Sequence, residues 1–222
     1  MKKILLITLF ALSFSLSFAQ KFKGGLILGF ANTDVYGTDP EDVDYNKIGF
    51  NIGLFTELPI SEKSDLRFEM YFIQKGSYIP PPTDSVSIAN GIFSSYRLRL
   101  NYVEFPIIYS HKLPFTVAGK TIDRFCMEIG PSFGFLVYSD EDYNQNGPNP
   151  VYGTQFKKYD ISAALGFSYL IAEGFKFHFR YENSILPIRP HPGGTTGINP
   201  NTYYYNSGEV NMVFTYTLSY TF

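Results

Sequence analysis

The sequence predicts an all-β protein: an antiparallel, up-and-down transmembrane β-barrel of about eight strands, of the outer-membrane type. Three observations carry this. Large apolar and small or polar residues alternate with period two through about eight segments. The connections between segments alternate between short and long. Aromatic residues are abundant, 22 Phe and 18 Tyr, yet mean hydropathy is only −0.06. Many rings at low mean hydropathy describe strands with one oily face and one wet face.

The 222-residue chain begins MKKILLITLFALSFSLSFAQ: two lysines, an apolar run too short to span a bilayer, and small residues Ser17 and Ala19 before Gln20. A secretory signal peptide over 1–19 is expected, with one barrel domain over 20–222. Gln20 at the cleavage point in place of Cys gives no lipoprotein signal. Export would then leave the single cysteine, Cys126, without an internal disulfide partner. The net charge of −2 gives no sign of a nucleic-acid partner.

Taking the elements in order, Phe22, Leu26, Leu28 and Phe30 alternate with Lys23, Gly25, Ile27 and Gly29. Ile48, Phe50, Ile52 and Leu54 follow against Gly49, Asn51, Gly53 and Glu57, and Leu66, Phe68, Met70 and Phe72 against Asp65, Arg67, Glu69 and Lys75. In the fourth segment Leu98, Leu100 and Tyr102 are expected to face lipid, with Arg97, Arg99 and Asn101 inside. That phase would turn Glu104 outward in NYVEFPIIYS, so a β-bulge near Tyr102 and Val103 is expected, putting Phe105, Ile107 and Tyr109 outside and Glu104 inside. Pro106 lacks a ladder donor, which fits a bulge or strand end. Phe125 to Phe135, Tyr159 to Tyr169, Phe175 to Tyr181 and Val210 to Phe222 complete the set, each alternating with polar or small residues.

The connections PISEKS and AEG are short, whereas 32–47, 76–96, 138–156 and 186–208 are long and rich in Pro, Gly, Asn and Asp. HKLPFTVAGKT is long for the short-turn side. A soluble lipocalin-like barrel would alternate too, but with its oily face inward. The expected leader, the loop asymmetry and a closing strand that runs NMVFTYTLSYTF to Phe222 favour lipid outside. The lumen is then expected to hold a charge network of Arg67, Glu69, Arg97, Arg99, Glu104, Glu128, Asp160, His178, Arg180 and Glu182. An arginine turned to the bilayer midplane would cost about 2–4 kcal/mol, so charges of both signs belong inside. Tyr216, Leu218, Tyr220 and Phe222 resemble the C-terminal signal by which barrel-assembly machinery recognises such chains.

The stretches FEMYFIQKGS, LNYVEFPIIYSHK, EIGPSFGFLV and DISAALGFSY, with Tyr102, Glu104 and Pro106 the most specific, resemble the PorT-like outer-membrane β-barrel proteins of Bacteroidetes. The resemblance covers the whole expected mature chain. It implies residence in the bacterial outer membrane among its lipids, and its namesake is an accessory of type IX secretion.

Chemistry-bearing motifs are sparse. Asp142, Asn144, Asn146 and Gly147 match the first half of a calcium loop, but Gly153 stands where the bidentate Glu belongs. His178 could find partners in Asp160 and Ser162, without a nucleophile motif around it. The Pro-rich stretches YIPPPTD and PIRPHPGGTTG stiffen two long loops. The reading is a non-enzymatic surface scaffold or binding barrel without a cofactor, partnered by an envelope protein. The alternatives are an outer-membrane enzyme or a narrow channel with a charged lumen.

Overall fold

The computed structural model describes residues 22–37, 45–81, 95–117, 120–143, 155–190 and 208–222, with the side chains of 115–122 and 143 left out. The expected leader, the barrel's expected start at 20, Asn144, Asn146, Gly147 and Gly153 lie outside the described residues. Nine strands are present: β1 (Lys23–Tyr36), β2 (Lys47–Ser61), β3 (Ser64–Ile79), β4 (Tyr96–Glu104), β5 (Ile107–Val117), β6 (Lys120–Tyr143), β7 (Tyr159–Ala172), β8 (Phe175–Ser184) and β9 (Val210–Thr221).

All pairings are antiparallel. β1 pairs with β2 on one side and with β9 on the other, from Gly25↔Thr221 to Tyr36↔Val210, so the first strand zips to the last. The chain of neighbours closes through β2–β3 and β6–β5. A closed sheet leaves no unpaired edge for lipid to meet.

β4 and β5 are two halves of one stave. β4 pairs with the outer part of β3 and β5 with its inner part. The interruption is Phe105–Pro106, where proline has no amide hydrogen to give. The ladder is carried across it by Phe105 N–H donating to the Phe133 carbonyl at 2.9 Å and Glu69 N–H donating to the Pro106 carbonyl at 3.0 Å. Nine strands thus make eight staves. β5 and β6 run on to the pair Val117↔Lys120, so most of HKLPFTVAGKT is strand and the connection is short after all.

In the membrane-spanning part the outward face is apolar. Leu26, Leu28, Phe30, Phe50, Ile52, Leu54, Met70, Ile129, Phe133, Leu165 and Leu218 are all exposed. Rings meet across neighbouring staves, Phe30–Tyr216 and Phe179–Phe214 stacked and Phe125–Tyr169 tilted, at centroid distances of 5.0, 5.8 and 4.9 Å.

The fourth stave departs from expectation. Tyr96, Leu98, Leu100, Tyr102, Glu104, Ile108 and Ser110 are all buried, in one unbroken inward phase, while Arg97 and Arg99 are about half exposed. Arg97 and Arg99 are therefore not lumen residues, Leu98, Leu100 and Tyr102 do not face lipid, and β4 holds no bulge. The bulge lies across the ladder in β6. Asn101 pairs with Tyr138 and Tyr102 with Leu136, leaving Val137 as the extra residue. Below Val137 the outward residues of β6 are Ile129, Phe133 and Phe135; above it they are Tyr138, Asp140 and Asp142.

The physical reason is a change of solvent. On β3, β4 and β6 the outward residues pass from Phe72, Val103 and Phe135 to Gln74, Asn101 and Tyr138, with the bulged Val137 between the two rows. Above it the staves stand clear of lipid and follow the soluble rule, charged outside and apolar inside. The inner apolar layer comprises Ala31, Val35, Ile73, Tyr96, Leu98, Leu100, Ile188 and Val213.

Candidate functional site: the sealed lumen

Alternation puts every second residue of a stave inside, so the lumen is built from layers of side chains contributed by different staves. At the inner end Glu57 meets Lys176 Nζ at 3.2 Å, and Arg67 Nη2 donates to Ser219 Oγ at 3.0 Å while its guanidinium lies 3.5 Å from the Phe55 ring centroid. In the middle, Arg180 donates through Nε to Glu128 Oε2 at 2.6 Å, and through Nη1 and Nη2 to the two oxygens of Glu69 at 2.6 and 2.8 Å. Toward the outer end Lys75 Nζ faces three carboxylates: Glu104 at 2.5 Å, Glu182 at 2.7 Å and Asp160 at 3.6 Å. Ser162 donates to Glu182 and Asn211 to Asp160.

Arg67, Glu69, Glu104, Glu128, Asp160, His178, Arg180 and Glu182 are thus brought together inside. Arg97 and Arg99 are excluded and pair on the outer surface with Asp142 at 3.2 Å and Asp140 at 2.6 Å. Asp142, the first residue of the incomplete calcium-loop match, serves that surface pair. Among the described residues no three His, Cys, Asp or Glu side chains are arranged to hold a metal ion.

His178 has partners other than those expected. Its Nδ1 lies 2.9 Å from Glu128 Oε1 and its Nε2 lies 2.8 Å from Ser219 Oγ. These are the distances of a Ser–His–carboxylate relay. Yet Arg67 Nη1 also donates to Nε2 at 2.9 Å, and Arg67 Nη2 donates to Ser219 Oγ. The guanidinium occupies the position from which an acyl group would have to approach. His178 is 1% exposed and Ser219 0%, so the trio is closed off from solvent and hydrogen-bonded to the cation. Cys126 is a free, buried thiol.

The sequence reading missed the closure at the outer mouth. After β8, residues 185–190 continue the same stave as an irregular strap between the leads into β7 and β9. Ile188 N–H donates to the Glu209 carbonyl at 2.8 Å, Glu209 N–H to the Arg189 carbonyl at 2.8 Å, and Lys157 N–H to the Ile188 carbonyl at 2.7 Å. Ile188 is fully buried in the apolar layer. Arg189 grips Glu209 and Glu141 with two hydrogen bonds each, 2.8–2.9 Å long, and lies 4.2 Å over the Phe156 ring. Burial opposes its charge, but the hydrogen bonds and charges of Glu141 and Glu209 outweigh it and raise the Arg189 pKa. One guanidinium cannot neutralise both carboxylates, and burial pushes Glu209 up to about 7 against the pull of Arg189. Arg189 sits in a Pro- and Gly-rich stretch without periodicity, and no local signal marked it.

Two comparisons with known proteins bear on this architecture. The sequence pattern of the family described as "Outer membrane protein beta-barrel domain" matches residues 16–188. Among solved structures, the chain is similar to the attachment invasion locus protein Ail of Yersinia pestis: 12% identity, 91% of this chain and 99% of that one, TM-score 0.47. It is also similar to Neisserial surface protein A: 11% identity, 91% and 97% coverage, TM-score 0.45. No curated protein matches the sequence.

Proposed function

We propose, from the premise that this chain belongs to the outer membrane protein β-barrel domain family, that it is a closed, non-enzymatic scaffold of the bacterial outer membrane that presents its long-loop end to a partner. The observation that carries this reading is the sealed interior. The lumen is filled by paired charges, the buried Ile188 and Arg189 side chains narrow the outer mouth, and the relay-like trio among the described residues has no room for a substrate. Loops held on such a rigid frame bind at a low ordering cost.

A finer role, as accessory to an envelope or type IX secretion assembly, is supported by the PorT-like stretch. Within it Glu104 turns inward onto Lys75 while Pro106 interrupts the stave. The outward row Tyr216, Leu218, Tyr220 and Phe222 stands on the closing strand, with Phe222 N–H bonded to the Gly24 carbonyl at 3.0 Å. It is the segment we assign to barrel-assembly machinery. We also assign 1–19 as a cleaved leader.

The test is reconstitution into planar bilayers and liposomes. The expected result is heat-modifiable gel mobility, no sustained conductance, and no esterase or protease activity that His178→Ala abolishes. Steady single-channel currents, or a hydrolysis that depends on His178, would overturn the reading.

A further inference from the structure

We propose that a depression on the outward wall of β1, β2 and β3, at the short-turn end, holds one acyl chain of a phospholipid. The register builds it. Across the closing seam one outward row reads Phe222, Gly24, Thr56 and Phe68, from β9 through β1 and β2 to β3. Two rings thus flank a bare backbone and a short side chain. Leu54 and Met70 form the next row toward the outer end, and Phe105 lines the same space from the stave break. The space is about 470 Å³, on the scale of a fatty-acid tail.

Protein packing sets its shape. A Cβ at Gly24 would stand 3.2 Å from Phe222 Cε2, so that ring leans over the bare Cα and makes one wall. Phe55 lines the floor from the lumen side, buried, with the Arg67 guanidinium 3.5 Å from its ring centroid. On the far wall Phe125, Phe167 and Phe179 meet ring to ring at 6.3 and 5.3 Å, so side chains fill that surface instead.

Shape selects the occupant. Lipid tails are as apolar as leucine, so a barrel gains from holding one tail only through closer packing, and a recess gives more atoms to pack against than a flat wall does. Among the described lining residues Glu69 has its carboxylate on Arg180 in the lumen, which leaves the Thr56 hydroxyl as the polar side-chain group at the surface. A water would find too few partners there. A partner strand or helix is held off by the rim, because Leu54, Phe68, Met70, Phe105 and Phe222 all stand exposed, Phe222 at 76%. A thin, flexible chain passes between them. The depression is continuous with the apolar band that meets lipid, so a chain reaches it by lateral diffusion. In a bacterial outer membrane the leaflet at the periplasmic end is phospholipid, which names the source.

That choice of leaflet rests on the reading that the long-loop end faces outward, which surface biotinylation of intact cells checks separately. The test of the site works in either orientation. The full-length barrel is reconstituted into vesicles of phosphatidylcholine and phosphatidylethanolamine, the latter carrying a diazirine in one acyl chain, and the adducts formed on illumination are mapped by peptide mass spectrometry. Labelling of residues 54–56 and 68–70 should exceed several-fold that of Leu165 and Phe167, which are exposed on the far wall. Thr56→Phe fills the depression and should remove the excess while leaving Leu165 and Phe167 labelled as before; Thr56→Ser should keep it. Unchanged heat-modifiability shows that both variants fold. Unlabelled phosphatidylethanolamine should compete for the excess more strongly than lipopolysaccharide does, and the reverse order overturns the choice of lipid. Uniform labelling around the wall of the unaltered barrel, or an excess that survives Thr56→Phe, overturns the site.

Discussion

Arg180→Met tests whether the paired charges inside the lumen hold the barrel together. Arg180 supplies both hydrogen bonds that Glu69 receives from a cation and one of those on Glu128. Without it Glu128 keeps His178, but Glu69 keeps only the Arg67 Nε 3.5 Å away, an atom that makes no hydrogen bond. Breaking a buried pair by removing one partner costs about 3–5 kcal/mol, because the remaining charge stays buried. With a urea slope of about 3 kcal/mol/M, that lowers the unfolding midpoint in micelles by roughly 1–1.7 M. Arg99→Met, which removes the exposed partner of Asp140, should leave the midpoint where it was. Adding Glu69→Gln and Glu128→Gln to Arg180→Met removes the stranded charges and should recover most of the loss. The reasoning fails if Arg180→Met and Arg99→Met are indistinguishable, or if the triple variant is less stable than the single one.

Three further outcomes follow from the geometry. The strap beside β9 holds Glu209 with its pKa at about 7 against an ordinary 4.5, so the closed state keeps a proton that the opened state releases. Closure is fully supported below pH 4.5 and weakens as pH rises through 7; hydrogen exchange at Ile188 and Glu209, corrected for its intrinsic pH dependence, should show more opening at about pH 8 than at about pH 5.5, and the difference should vanish in Glu209→Gln. Gly76→Ala should destabilise by about 1–3 kcal/mol in urea unfolding, given a φ of +133° and the Leu98 carbonyl in the way, while Gly24→Ala, whose Cβ would meet only Phe222 Cε2 at 3.2 Å, should be tolerated. Cys126, buried and free, should resist a maleimide in the folded barrel and react once it is unfolded.

The stave order and the inward set from Arg67 to Glu182 were legible because period two separates two faces without any knowledge of contacts. What alternation leaves open is which face meets which solvent. Leu98 and Leu100 were read as lipid-facing because they are apolar, and Arg97 and Arg99 as luminal because they are charged. Both assignments hold only inside the bilayer. A clue was present in length: β6 runs for 24 residues, far beyond the ~9–11 that cross a membrane. The strap was not legible. Ile188 and Arg189 lie in a stretch whose structure comes from partners on β6 and before β9, and no local pattern encodes such partners.

The polarity swap also fixes how deep the barrel sits. Sinking the outer staves by one row would bring Asn101 and Tyr138 into lipid, and two rows would bring Arg99 and Asp140 with them. An arginine penalty grows toward about 2–4 kcal/mol at the midplane. Raising the barrel by one row would instead expose Phe72, Val103 and Val137 to water, losing roughly 25 cal/mol for each Å² of apolar surface. The Val137 bulge is what reconciles the two regimes on one strand. Without the extra residue, the phase that turns Phe133 and Phe135 to lipid would turn Ser139 and Glu141 outward above it. Glu141 would then leave Arg189, and the strap would lose half of its clamp. The bulge therefore links membrane depth to closure of the mouth: the residue that ends the apolar band on β6 also sets the phase that aims Glu141 at the strap.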